Sequence, residues 1–141
     1  MKVSSVADAE KREGQPTLPT PMFSIRHDDE HRLLHVVRWG LWDEEQAASY
    51  RTGLAAAVSD AERRWGRFDI LVDIGRAETM PQSATRIMAA VADDLEAGRA
   101  RRVAFAGPGA LKRLQVRRLV GESSRFGFFD TSAQALDWLG S

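Results

Sequence analysis

Asp73 stands near the end of the most apolar run in the chain, Phe68-Asp-Ile-Leu-Val-Asp-Ile74, and a short polar loop follows it. Ligand and catalytic groups gather at the C-terminal ends of strands in open α/β sheets. With Arg76 and Glu78 in the next turn, Asp73 is the group on which an enzymatic reading would rest. No His or Lys stands nearby in sequence to complete an acid–base pair. The alternative is a carboxylate bonded to loop backbone N–H groups. Gln82 and Ser83 close the same loop. The Ser83 hydroxyl suits the N-cap of the helix behind it. Phosphorylated, it would place negative charge where a helix N-terminus favours it.

Three further groupings have the residue types for chemistry. His27, Asp28, Asp29, Glu30, His31 and His35 form a metal-like set on paper. Their position in a hairpin turn, without tetrahedral ligand spacing, speaks for backbone reasons instead, and no metal is expected. Gly107-Pro108-Gly109 precedes a helix and could offer free N–H groups to an anion. Neither the Lys-Ser/Thr of a phosphate loop nor the G-x-G-x-x-G fingerprint accompanies it. Finally, Arg99 to Arg125 carries eight basic residues against one acid, whereas Gly40 to Gly98 carries eleven acids against six bases. Lys112, Arg113, Arg117 and Arg118 are the candidate anion or partner surface on that basic stretch. The competing reading is a solvated face with ion pairs to the acidic helices. No nucleic-acid reader motif goes with the charge, so nucleic acid is not an expected partner.

Composition narrows the classes further. The chain has 141 residues, 43% hydrophobic and 28% charged, enough for one packed domain. Twenty basic residues balance twenty acidic ones, so no global field draws the chain to polyanions. There is no cysteine, which removes disulfides, thiolate metal sites and thiol nucleophiles. No apolar run approaches the roughly 18 residues of a spanning helix, and no signal-peptide pattern opens the chain. A cytoplasmic location is the resulting expectation, and no cofactor is expected.

The elements that must position these groups follow from periodicity. Met1 to Pro21 reads as a flexible tail, rich in charge and ending in Pro16, Pro19 and Pro21. The domain is expected from Met22 to Ser141. Phe23 to Arg26 and Leu33 to Trp39 read as an antiparallel hairpin around a polar turn. Asp43 caps a helix whose apolar positions Ala47, Tyr50, Leu54, Val58, Ala61 and Trp65 step by three or four, ending at Gly66. Trp42, just ahead of it, reads as a hydrophobic staple, with an exposed anchor as the alternative. Phe68 to Ile74 is expected mid-sheet, covered on both faces. A helix follows Ser83 to Gly98, with Ala84, Ile87, Met88, Val91 and Leu95 inward. Arg102 to Ala106 is a strand, and a helix is expected from about Pro108 to Val120. Phe126 to Phe129 is the last strand, and Thr131 caps a closing helix. The fold class is α/β: a mixed five-stranded sheet, antiparallel hairpin first and parallel βα units after, with a helical layer.

This order resembles the STAS domain (sulfate transporter and anti-sigma-factor antagonist) over about Met22 to Leu139. Three stretches carry the likeness: Phe68 to Ile74 with its loop and the Ser83 helix, Arg101-Arg-Val-Ala-Phe-Ala-Gly107, and Phe128-Phe-Asp-Thr-Ser-Ala-Gln-Ala-Leu-Asp-Trp-Leu139. The resemblance implies a regulatory domain that contacts a protein partner through the strand-to-helix loop. In the family that loop often reads Asp-Ser-Ser-Gly, and its first serine accepts phosphate. Here the corresponding stretch is Pro81-Gln82-Ser83-Ala84, so Gln82 fills the acceptor slot and Ser83 the second serine position. A subset of such domains is similar to CRAL-TRIO carriers and implies an apolar ligand between sheet and helices.

The sequence thus predicts a non-enzymatic binding or regulatory domain acting at loop 75–83 through a protein partner. The alternative is a carrier of a small lipophilic ligand, with a membrane-surface association open to it. An enzyme using Asp73 ranks last. Self-association through a sheet edge or the aromatic ends is left open.

Overall fold

The computed structural model describes residues 22–78, 80–109, 114–118 and 123–141. The expected tail, 1–21, lies outside them.

Strands β1 (Phe23–Asp28) and β2 (Leu33–Gly40) form the hairpin, with Phe23 opposite Arg38 and Asp28 opposite Leu33. Asp28 fastens the turn by accepting the His31 backbone N–H at 3.2 Å and holding its ring Nδ1 at 2.8 Å. Helix α1 (Glu44–Trp65) starts on Asp43, whose carboxylate accepts the Gln46 N–H at 2.9 Å, and ends at Gly66. Strand β3 (Asp69–Ala77), helix α2 (Gln82–Ala97), strand β4 (Val103–Ala106), a helical stretch at 114–118, strand β5 (Phe126–Phe129) and helix α3 (Ser132–Leu139) follow. Thr131 caps α3 in a reciprocal box: its hydroxyl accepts the Gln134 N–H, and the Gln134 side chain accepts the Thr131 N–H.

The sheet order is β1-β2-β3-β4-β5, antiparallel between β1 and β2 and parallel thereafter. The mixed five-stranded sheet is therefore as expected, with β3 in its middle. Alternate β3 residues serve two cores, as the uninterrupted apolar run requires. Ile70, Val72 and Ile74 join α1 and α2 in the large core, and Leu71 joins a second core on the opposite face.

The helices cover the sheet on both faces, as a central strand buried on both sides requires. Helices α1 and α2 cover one face, but α3 packs on the other, its Ala135 and Leu139 against Leu33, Leu71, Ala104 and Ala106. The handedness rule governs helices that cross over to a following parallel strand. Helix α3 joins no two of the five described strands, so that rule does not fix its face. Small residues make the room. A Cβ on Gly127 would stand 2.7 Å from the Phe129 ring and 3.0 Å from Trp138.

Trp42 is only 2% exposed, so it belongs to the core and is no surface anchor. It sits edge-on to Tyr50 at 4.9 Å between centroids, and Phe23 packs on both rings.

Candidate functional site

The site is built where the parallel strands end. Between the Val37–Asp73 and Trp39–Arg76 pairings two residues of β3, Ile74 and Gly75, stand against one of β2, Arg38, a bulge that bends the end of β3. The Glu78 N–H then donates to the Gly40 carbonyl at 3.1 Å, pinning the outgoing loop to the end of β2. Leu41, the next residue of that rim, is 58% exposed. Pro81 turns the chain into α2, its carbonyl accepting the N–H groups of Ala84 and Thr85.

This entry geometry corrects one expectation. The N-cap of α2 is Pro81 and no side chain caps it; Ser83 is already inside the helix. Proline's fixed φ, −68° here, with an extended ψ of 162°, starts the helix two residues earlier than a cap at Ser83 would. Gln82 and Ser83 are both exposed on that first turn.

Asp73 lies in the same strand phase as Leu71, away from α2. Its carboxylate accepts the Gly75 N–H at 2.9 Å. Arg76 and Glu78 are exposed, and Glu78 reaches the α2 side of the sheet. The three residues of the enzymatic reading do not line one cleft. His35, in strand phase with Leu33, neighbours Asp73; burial and then the Arg26 charge hold its pKa below the ordinary value, against a raising effect of Asp73. Among the described residues no group of three metal-ligating side chains converges.

Gly107-Pro108-Gly109 has a packing reason. A Cβ on Gly107 would lie 2.8 Å from the Gly75 nitrogen and 2.9 Å from its Cα. The two backbones touch, which only glycine allows. Of the helix expected after Pro108, the described residues show 114–118; Lys112 and Arg113 lie outside them.

Much of the basic stretch is spent inside the fold, with one ion pair to an acidic helix among the described residues, Arg125 to Glu96 at 3.8 Å. Arg125 donates to the carbonyls of Leu95, Glu96, Gly98 and Ala100, closing the C-terminal end of α2. Arg101 grips Asp69 through two nitrogens and also donates to the Leu139 carbonyl. Arg102 donates to the Trp138 carbonyl and lies 4.8 Å over its ring, fixing α3. Arg117 and Arg118 are exposed, Arg117 stacking on Phe128 at 4.7 Å.

Beneath the rim lies a cavity of about 250 Å³ between the sheet and α2. Ile74, Met88, Val91, Leu95 and Phe105 form apolar walls, all buried. Glu78, Gln115 and Arg118, which are exposed, mark its mouth beside the loop. Among the described lining residues its buried charged member is Arg38, 4% exposed. The guanidinium stacks over Trp42 at 4.8 Å and Tyr50 at 5.4 Å, and its Nε is buried with no hydrogen-bond partner. No described carboxylate lies within ion-pair distance of it; burial alone pulls its pKa down, with the Tyr50 hydroxyl opposing. Arginine nonetheless stays charged. Two ring contacts at roughly 1–2 kcal/mol each fall short of the several kcal/mol that burying an ion costs.

Arg38 was missed in the sequence, yet a signal was present. It follows Leu34 and Val36 at period two, the inward phase of β2. A cation on that phase marks a charge facing the core.

Together these features define a STAS-like α/β domain with an elaborated strand-end rim. Two solved structures share the fold. One is an uncharacterized protein of the DUF3478 family with a SpoIIAA-like fold from Shewanella loihica, with a TM-score of 0.61 and 22% identity, covering 89% of this chain and 99% of that one. The other is an anti-sigma factor antagonist from Mycobacterium paratuberculosis, with a TM-score of 0.59 and 18% identity, covering 84% and 95%. At such identities the likeness is one of fold. No family model and no curated protein matches the sequence. Among the described residues no helix is long and apolar enough to cross a membrane.

Proposed function

We propose that this chain is a non-enzymatic regulatory domain that works by protein contact at the rim formed by Leu41 and residues 75–83. The observation that carries this reading is the exposed Leu41, held beside the loop by the Glu78–Gly40 bond, with exposed Gln82 and Ser83 on the adjoining helix turn. A large exposed apolar side chain on a fixed backbone, next to exposed polar groups, offers a contact point to a partner. The fold shared with an anti-sigma factor antagonist supports the same reading. Negative charge at Ser83, such as a phosphate, would then alter the contact. Arg117 and Arg118 extend the surface toward acidic groups on the partner.

The test compares partners captured from the native cell by the wild type, by Leu41→Glu, by Ser83→Glu and by Glu96→Lys. A genuine rim partner is retained by the wild type and Glu96→Lys and lost by the two rim variants. Identical capture by all four proteins refutes the reading.

The cavity favours a second reading, a carrier of a small apolar molecule between sheet and helices. Its buried walls of Ile74, Met88, Val91 and Phe105 support it. Thermal shifts with small apolar compounds separate the two readings, because the rim variants leave the cavity intact.

A further inference from the structure

Among the described residues one buried charge lines the cavity, and it has consequences for what could fill it. Its walls come from β3, β4 and α2, and Arg38 reaches it from β2 across the Trp42 and Tyr50 rings. The side chain is 4% exposed, its Nε lacks a hydrogen-bond partner, and no described acid pairs with it. Among the described residues Glu78 and Arg118 stand at the mouth, one of each sign. Inside, a cation that no described anion pairs with faces a largely apolar space.

We propose that the cavity binds a free, singly charged amphiphile of the carboxylate class, its carboxylate on the Arg38 guanidinium and its apolar body along Ile74, Met88, Val91 and Phe105. A planar guanidinium matches a carboxylate in shape and charge. The rings of Trp42 and Tyr50 hold the guanidinium flat, so little is lost in ordering it on binding. Size limits the body. A cavity of roughly 150 Å³ holds benzene, so about 250 Å³ corresponds to about ten non-hydrogen atoms by proportion. A two-chain lipid exceeds that; an eight-carbon acid fits.

This inference rests on the carrier reading of the cavity, and the experiment separates the two. The whole chain is titrated calorimetrically with sodium octanoate and with 1-octanol, a neutral molecule of like length, at pH 7.5. The same titrations are run on Arg38→Met, which keeps an unbranched apolar stem and removes the charge. The wild type is expected to bind octanoate at least tenfold more tightly than octanol, and Arg38→Met to lose or reverse that preference. Binding of octanol with no preference for octanoate overturns the carboxylate assignment and leaves the carrier reading standing. Binding of neither refutes both. Should Arg38→Met fail to fold, the wild type alone still decides. Octanoate labelled with carbon-13 at the carboxyl is titrated by NMR in its bound form. A carboxylate on Arg38 titrates below the free acid; one merely buried in an apolar cavity titrates above it, and that result overturns the proposal.

Discussion

Arg125→Met should loosen the end of α2 and lower the stability of the domain by about 2 kcal/mol. The guanidinium makes four contacts with carbonyls: Ala100 at 2.8 Å, Glu96 at 2.9 Å, and Leu95 and Gly98 at 3.3 Å. The two short contacts count as charge-assisted bonds of about 1.5 kcal/mol each, and the long pair shares a nitrogen already in use. A cation at a helix C-terminus adds roughly 0.5 kcal/mol. The side chain is 29% exposed, so water can replace part of what is lost; that discount brings the figure to about 2 kcal/mol. For a domain of this size the fall in Tm is about 7 °C, readable by circular dichroism. Amide hydrogen exchange should quicken in the last turn of α2 and stay unchanged in α1. Arg125→Lys restores less than half of the loss, because an ammonium cannot span the carbonyls as a planar fork does. A fall of less than about 2 °C, or full rescue by lysine, would refute the account of how α2 is held.

Further outcomes follow from particular contacts. Gly107→Ala drives a Cβ to 2.8 Å from the Gly75 nitrogen; as both neighbours are backbone, a loss of about 2–3 kcal/mol is expected by denaturant melt. Thr131→Ala removes the hydroxyl of the capping box, costing about 1 kcal/mol, with faster exchange confined to α3 as the local check. The His35 ring accepts a bond from Arg26 at its Nδ1, at 2.7 Å, and burial together with that cation lowers its pKa, while Asp73 and Asp28 act in the raising direction. A histidine with a lowered folded pKa takes up its proton in the unfolded chain first, so stability is held above the ordinary histidine value of about 6.5 and falls as pH drops below it. His35→Gln is expected to flatten that acid limb; an unchanged slope in pH-dependent urea melts would show that other groups set it.

Periodicity and local caps were legible in the sequence, and with them the element order. The two-residue alternation of the hairpin, the three-to-four step from Ala47 to Trp65, the Asp43 and Thr131 caps and the uninterrupted strand at β3 are all local patterns. A local pattern constrains a few turns of backbone, and these segments adopt it wherever they are placed. The start of α2 was misread by two residues because serine and proline both open helices, and the choice at Pro81 depends on which backbone dihedral the loop must take.

What the tertiary structure alone decided concerns contacts between segments far apart in the chain. The amphipathic pattern of α3 shows which side is apolar, but not which face of the sheet receives it; the small residues Ala104, Ala106 and Gly127 settle that from two other strands. The charge count from Arg99 to Arg125 suggested a surface, yet the carbonyls that consume Arg101, Arg102 and Arg125 belong to helix ends whose proximity exists only after folding. Arg38 sits on an inward strand phase that anyone can count, but whether an acid meets it depends on every element around the cavity. Hydrophobic periodicity is a property of one segment, whereas pairing of a buried charge is a property of the whole packed domain.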